Sequence, residues 1–349
     1  MTEIDIRTDL CEAERPRADC PWRRFFARSI DTSIITLLWY AVAYLGFRWN
    51  LTGRIWLNIF VYLGLMILLE PPVLALFGTT PGKAVFGIRV TNPGGARLTL
   101  LQGYERIWRV FSHGYGYSIP IYNIVRQYKS YKECKESGVM EWDEDLEYTV
   151  KDRSPIRPLV YLVCALALGA ATILIPYAAD MPKHRGGLTV MQFADNMNRS
   201  LQYNKVEGSV GMLSPGQGNT LAAVSPDLWM PPPKFHIIES DGIVTEVTME
   251  INTANLYSLN SFSNWIYCGV NAFVGAQRGM NPFNMHFGEI KNMLSGWRVY
   301  DSYSYAMGGV EVLYNIEIDG RPMADMQYSV ENVTASSAIN VYFTMRRVK

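Results

Sequence analysis

Three long apolar runs constrain this chain more than any other feature. SIDTSIITLLWYAVAYLGF covers residues 29–47, IWLNIFVYLGLMILLEPPVLALF covers Ile55–Phe77, and LVYLVCALALGAATILIPYAA covers residues 159–179. A helix needs roughly 20 apolar residues to cross the hydrocarbon of a bilayer, and each run meets that length. The third carries no charge, and its small residues Ala165, Ala167, Gly169 and Ala170 suit close helix packing. A mean hydropathy of +0.01, with 49% hydrophobic and 18% charged residues, averages two unlike halves. The apolar runs and most of the Lys and Arg lie before Gly186; the remainder is poor in Lys and Arg and rich in Asn, Ser and Tyr. Two solvents account for this division, lipid for the first half and water for the second.

Basic residues orient the runs. Arg15, Arg17, Arg23, Arg24 and Arg28 flank the first on its N-terminal side, only Arg48 and Arg54 separate the first two, and Lys83, Arg89, Arg97, Arg106 and Arg109 follow the second. The positive-inside bias puts the N-terminus and the segment after the second run in the cytoplasm. Residues 110–125, VFSHGYGYSIPIYNIV, are short and interrupted by His113, Gly114, Gly116 and Pro120, and read as a span or a re-entrant segment. Arg126, Lys129, Lys132, Lys135, Lys151, Arg153 and Arg157 keep the following stretch cytoplasmic, so that the last run exports the C-terminal half. A full crossing by residues 110–125 would instead leave that half in the cytoplasm. The N-terminus begins acidic and lacks an apolar core, so it is not a cleavable signal peptide and an internal span must direct insertion. Cys11, Cys20, Cys134, Cys164 and Cys268 form neither a disulfide framework nor a zinc spacing.

The stretch LFGTTPGKAVFGIRV, residues 76–90, has the look of a phosphate-binding loop. Such a loop needs a Gly, four residues, then Gly-Lys and Ser or Thr, between a strand and a helix. Here three residues separate Gly78 from Gly82-Lys83, Ala84 has no hydroxyl, and an apolar span precedes. The reading that survives is a juxtamembrane turn in which Gly and Pro end the helix and Lys83 sits at the charged membrane surface. KAVFGIRVTNPGGARLTL then reads as a short amphipathic segment with a Pro-Gly-Gly turn.

Two motifs with spans between them carry a family resemblance. One is RFFARSID, with Arg24 and Asp31; the other is GTTPGKAVFGIRV, with Gly78, Thr80, Gly82, Lys83, Gly87, Arg89 and Val90; Arg106 in YERIWR follows. In this order they resemble the RDD family of bacterial and archaeal membrane proteins, over residues 20–152. The family closes with a His-Asp pair and a T-x-V ending. The counterpart here is WDEDLEYTV, residues 142–150, where Asp143 or Asp145 stands for the second Asp and Asp145 is taken as the candidate. No His precedes it, and the upstream linker is longer. The resemblance implies a membrane module with Arg24, Asp31, Gly82, Lys83, Arg89, Arg106 and Asp145 as motif residues; transport has been suggested for the family.

Two carboxylates fall within the apolar runs. Asp31 lies near the start of the first, and Glu70 lies well inside the second, directly before Pro71-Pro72. An ionised group at the bilayer centre costs roughly 2.5–3.5 kcal/mol or more, so it faces protein or water. The two prolines should kink or break the helix, and a carboxylate at a broken helix suits a cation or proton site. The structural alternative pairs Asp31 with Arg24 or Arg28 and Glu70 with a loop Arg or Lys. His113 and the nearby tyrosines read as an interfacial aromatic belt.

The second half reads as a soluble α+β domain with an antiparallel sheet packed on helices. Thr189 caps a helix over residues 188–203 with Gln192 completing a capping box, and residues 208–234 read as largely loop. Ser240-Asp241-Gly242 turns a hairpin, and residues 257–277 and 283–294 read as helices. Residues 296–306, 309–320 and 336–348 are strand-like. His236 and His286 have no Glu or Cys at ligand spacing in the chain. Asn260, Asn264 and Asn271 make the first of those helices a poor span.

The expected organisation is an N-terminal cytoplasmic tail over 1–19, an RDD-like α-helical membrane domain over 20–152, a final transmembrane helix over 153–180, and a soluble α+β domain over 181–349 on the far side of a bacterial cell membrane. Two function classes stay open. One is membrane-anchored sensing or interaction through the C-terminal domain; the other is a transporter or cation/proton exchange module with an accessory soluble domain. No motif supports an enzyme, a cofactor or a metal. The expected partners are the lipid bilayer, a second copy of the chain, and a protein or small ligand for the C-terminal domain. A net charge of zero gives no reason to expect nucleic acid.

Overall fold

The computed structural model describes residues 20–115, 119, 121–137, 140–151, 154–212, 220–224, 232–253, 258–287, 302–318, 321–322 and 338–348. They form two compact units: residues up to Ala43 with Leu51–Ile173, and Tyr44–Asn50 with the residues from Leu174 onward.

In the first unit, helix α1 (Pro21–Tyr40) runs into a π-helical turn, Ala41–Gly46. Pro21 occupies the first turn, where its missing N–H removes no intrahelical bond. The helix starts before the apolar run at residue 29, because it also carries Arg24 and Arg28, whose charges are met inside the fold. Helix α2 (Ile55–Phe77) runs through Pro71 and Pro72 without a break. Helix α4 (Leu100–Arg109) lies tightly against that point, since a Cβ on Gly103 would come 3.0 Å from the Pro71 Cβ. Neighbouring helices of this kind are what make prolines tolerable in a membrane helix. Gly78, in the left-handed conformation at φ 67°, closes α2.

The stretch expected to be a juxtamembrane turn is more ordered than that. Thr80 caps a short helix, α3 (Pro81–Val85), and accepts from the Lys83 N–H. Strand β1 (Ile88–Thr91) follows and pairs antiparallel with β2 (Glu147–Val150), Ile88 opposite Val150. A Thr99–Gln102 capping box starts α4. Phe86, Ile88, Val90, Leu98, Tyr148 and Val150 bury against Ala27 and Leu74 as one apolar cluster.

Residues 110–125 are not one continuous helix. A π-helical turn, Val110–Gly114, ends at Tyr115, and helix α5 (Tyr122–Ser137) begins later; residues 116–118 and 120 lie outside the described ones. After a 3₁₀ turn, Glu141–Asp143, the chain returns to β1 through β2. Helix α6 (Ile156–Asp180) follows. Its first turn is tied back to α3, the Arg157 guanidinium donating to the Val85 carbonyl at 2.8 Å, and Tyr161 packs on Phe26 and Phe86. Among the described residues three helices are long and apolar enough to cross a membrane: Pro21–Gly46, Ile55–Phe77 and Ile156–Asp180.

The second unit is built on an eight-stranded antiparallel sheet. Its strands are β3 (Ser209–Met212), β4 (Thr220–Val224), β5 (Lys234–Ser240), β6 (Ile243–Thr253), β7 (Tyr303–Met307), β8 (Val310–Ile318), β9 (Arg321–Pro322) and β10 (Ile339–Arg347). They pair in the order β3-β4-β5-β6-β10-β8-β7, with β9 beside β8. Helix α7 (Val190–Tyr203) carries the expected Thr189–Gln192 capping box, and α8 (Ser258–Phe273) packs beside it. Phe193, Phe235, Trp265, Phe273 and Phe343 are fully buried in the core the helices and sheet share. The opposite sheet face is polar and half-exposed, with Lys234, Glu250, Tyr342 and Asn315 in one cross-strand row. A shorter helix, α9 (Pro282–Phe287), covers the start of the second helix expected after α8, and residues 288–294 are outside the described ones.

Two expectations change here. Residues 208–234 are not simply loop, since they contain β3 and β4. The Asn198 side chain accepts from the Val210 N–H at 2.6 Å and donates to its carbonyl at 2.8 Å, fixing β3 to α7 across a distance that local turn chemistry does not register. The hairpin turn does fall at Asp241-Gly242, both with positive φ, as a two-residue primed turn demands. Its register, however, shifts between Ile238 and Glu239, where Thr245 is the extra residue on β6. Val244 is therefore buried and Ile243 is not, while Val247, Met249 and Ile251 keep the expected face.

Candidate functional site

Seven ionisable side chains of the first unit converge at one point: Arg24, Arg28, Asp31, Glu70, Lys83, Arg106 and Asp143. Helix α1 supplies three of them, and spacings of four and three residues place Arg24, Arg28 and Asp31 on one stripe. Glu70 comes from α2, Lys83 from α3, Arg106 from α4, and Asp143 from the end of the 3₁₀ turn.

Asp31 holds α3 against α1. Its carboxylate accepts the Thr80 hydroxyl at 2.5 Å and the Gly82 N–H at 2.7 Å, and the Lys83 Nζ lies 3.9 Å away. The approach is so close that a Cβ on Gly82 would sit 1.9 Å from the Ala27 carbonyl oxygen. Only glycine fits there, which gives the Gly-Lys pair of the motif a physical reason unrelated to phosphate.

Glu70 is enclosed by cations. It accepts from the Arg28 guanidinium, from Lys83 Nζ at 3.0 Å and from Arg106 Nη1 at 3.4 Å. Arg106 also donates through Nε to Asp143 at 2.9 Å, so it bridges two carboxylates. Asp143 takes a second bond from Arg24 Nη1 at 3.1 Å, and the Arg24 guanidinium stacks 3.8 Å above the Tyr148 ring. Burial opposes the charge on Arg106, but Asp143, Tyr148 and Glu70 outweigh it and raise its pKa above the ordinary arginine value.

The consequence is chemical as well as architectural. Each of the three carboxylates is engaged by groups of the protein itself, and the network ties α1, α2, α3, α4 and the 3₁₀ turn together. Removing one partner from such a network leaves uncompensated buried charge, which costs about 3–5 kcal/mol.

Of the sequence candidates, Arg24, Asp31, Glu70, Lys83 and Arg106 meet here, with Gly82 in direct contact. Lys83 is 3% exposed, so its amine is not presented to solvent; it turns inward to Glu70. Arg89 is exposed on β1 and joins none of these contacts. Asp145 has an 88% exposed side chain with Arg109 as its neighbour at 3.9 Å, and the position near Arg24 and Arg106 belongs to Asp143. A 3₁₀ turn exposes one aspartate and buries the other, a choice two residues of spacing do not reveal. Arg28 was missed as a member in its own right. Its signal was the Arg24–Arg28–Asp31 stripe, one helical face carrying three charges at the edge of an apolar run.

In the second unit, His236 is not isolated: its Nε2 lies 2.9 Å from Glu250, which the antiparallel pairing of β5 and β6 brings alongside. Among the described residues no group of three or more His, Cys, Asp or Glu is placed to hold a metal ion.

No curated protein and no solved structure matches this chain. The family model of the RDD family matches residues 20–180, a stretch that takes in α6 and contains every member of the charge network. The helical part of this chain is an RDD family domain.

Proposed function

We propose that this chain is a membrane-anchored sensing or interaction protein, in which the RDD domain holds the C-terminal domain on the side of the membrane opposite the N-terminus. The observation that carries the reading is a clamp within the second unit. Arg48, just after the first span, donates to the carbonyls of Ala179 at 2.7 Å and Met181 at 3.1 Å, at the end of the third span. Asn50 donates to the Tyr203 carbonyl at 3.0 Å, and the Tyr203 hydroxyl donates to the Pro176 carbonyl at 2.7 Å. The end of the first span, the end of the third and the start of the C-terminal domain therefore share one side.

The other ends support the same topology. Glu70 near the end of α2 meets Arg28 near the start of α1, and Arg157 at the start of α6 reaches α3. The end of α2 and the start of α6 thus lie with the start of α1, which agrees with three crossings. With the N-terminus cytoplasmic by the positive-inside bias, the C-terminal domain is outside. The enclosure of Glu70 by Arg28, Lys83 and Arg106 favours this reading over cation exchange, because no cation reaches that carboxylate without displacing one of them.

Protease added to intact cells is expected to remove an epitope tag placed after Lys349 and to spare one placed before Met1. Protection of the C-terminal tag overturns the topology. Deletion of residues 187–349 is expected to leave membrane insertion intact and to abolish the protein's biological effect; full retention of that effect overturns the interaction reading. The clamp has its own test. Arg48→Ala is expected to destabilise the C-terminal unit by about 2 kcal/mol, the loss of two hydrogen bonds from a charged donor, read as a lower Tm in detergent.

A further inference from the structure

The charge network borders a cavity of about 790 Å³ inside the first unit, a size that suits a small-molecule or headgroup ligand. Arg24, Arg28, Lys83 and Arg106 line it together with Trp22, Phe25, Ile124, Tyr128 and Tyr131. We propose that this cavity binds the phosphate headgroup of an anionic phospholipid, with the acyl chains leaving over the aromatic rim.

Three observations converge on that ligand. The first is charge. Four cations, Arg24, Arg28, Lys83 and Arg106, gather within one network with the carboxylates of Asp31, Glu70 and Asp143 among the described residues. A cluster of cations beside a cavity favours an anion there. The second is access. Lys83 and Arg106 have 3% exposed side chains, whereas Arg24 and Arg28 keep 10% and 17% exposed. Arg28 gives one hydrogen bond to Glu70, and its remaining N–H donors have no partner among the described residues. A guanidinium in that state matches the oxygens of a phosphate.

The third is the rim. Trp22, Phe25, Ile124 and Tyr128 are 60%, 55%, 71% and 68% exposed, a degree of apolar exposure that water disfavours and lipid does not. Trp22 and Phe25 stand in the first turns of the first candidate span, and aromatic side chains at span ends favour the headgroup level. A free phosphate ion would use the cationic side and leave this rim unexplained. A zwitterionic phospholipid would bring its own cation beside the Arg24 and Arg28 guanidinium groups. Basic pockets between membrane helices are the established chemistry for anionic headgroups.

The test uses full-length protein purified in mild detergent and then reconstituted in nanodiscs. Native mass spectrometry of the wild-type protein is expected to show about tenfold preferential retention of phosphatidylglycerol over phosphatidylcholine, the scale of a site with one to two unshared cationic contacts. Ser33→Phe fills the cavity from its wall and leaves every charged residue in place; it is expected to abolish the preference while keeping the Tm of the ligand-free protein. Arg28→Gln is expected to reduce retention as well, but it also disturbs Glu70, so Ser33→Phe carries the decision. Equal retention of the two lipids, or a preference unchanged in Ser33→Phe, overturns the proposal. Displacement of the lipid by excess inorganic phosphate, with no lipid preference afterwards, overturns it in favour of the free ion.

Discussion

Glu70→Gln is expected to destabilise the RDD domain by about 3–5 kcal/mol, enough to remove most of the stability of an ordinary domain. The substitution keeps size and shape and removes one negative charge. Arg28, Lys83 and Arg106 all point at that carboxylate, so three buried cations lose their shared partner at once. Asp31→Asn is expected to cost less, because an amide oxygen still accepts the Gly82 N–H and the closest cation, Lys83, is 3.9 Å away. Thermal unfolding of each variant in detergent, followed by size-exclusion fluorescence, measures the order. The same pair separates structure from transport. A Glu70→Gln protein that folds as well as wild type and loses only cation flux in proteoliposomes returns Glu70 to an ion pathway and ends its role as a structural lock. In a Glu70→Gln/Lys83→Met double variant, part of the loss should be regained, since one of the stranded cations is gone.

The second large effect belongs to Gly82→Ala. A single methyl there must displace the Ala27 carbonyl, 1.9 Å from the position of the new Cβ, and it also meets the Ala27 carbonyl carbon and the Asp31 Cγ at 2.9 Å. Backbone cannot give way as a flexible side chain does, so α3 has to move off α1. That movement breaks the bonds Asp31 makes to Thr80 and Gly82. Overpacking of this kind costs about 3 kcal/mol, and loss of the two buried hydrogen bonds adds to it. Gly64→Ala in the middle of α2 is the control: nothing lies within 4 Å of its added Cβ, and the change should be neutral or stabilising by about 0.5–1 kcal/mol. If both variants melt with the wild type, the contact between α1 and α3 is not as tight as described.

Much of the architecture was legible in the chain. The spans were visible because a bilayer selects on length and polarity alone, and a 23-residue helix reproduced its apolar run to the residue. The capping box at Thr189 and the Asp241-Gly242 turn were visible because caps and tight turns are decided by a few adjacent side chains. The membership of the charge site was legible in part. Asp31 and Glu70 stood out as carboxylates in apolar surroundings, but the network's pairs are distant in sequence, 51 residues for Asp31 and Gly82 and 119 for Arg24 and Asp143. Which of Asp143 and Asp145 turned inward, and that Lys83 did so, depended on a 3₁₀ turn and on the capped helix at Thr80. The strands at 209–212 and 220–224 escaped because their ordering comes from Asn198 and neighbouring strands, not from their own alternation.

By itself the sequence determined that this protein has a lipid-facing part and a water-facing part, and where the chain passes between them, because the transfer free energy of a helix depends on its composition and hardly on what it packs against. Only the tertiary structure decided that the carboxylates beside those helices are met by buried cations, and that a glycine is what lets the helices approach. Ion pairing and close packing are set by distances of a few ångströms between segments far apart in the chain, and those distances exist only after folding.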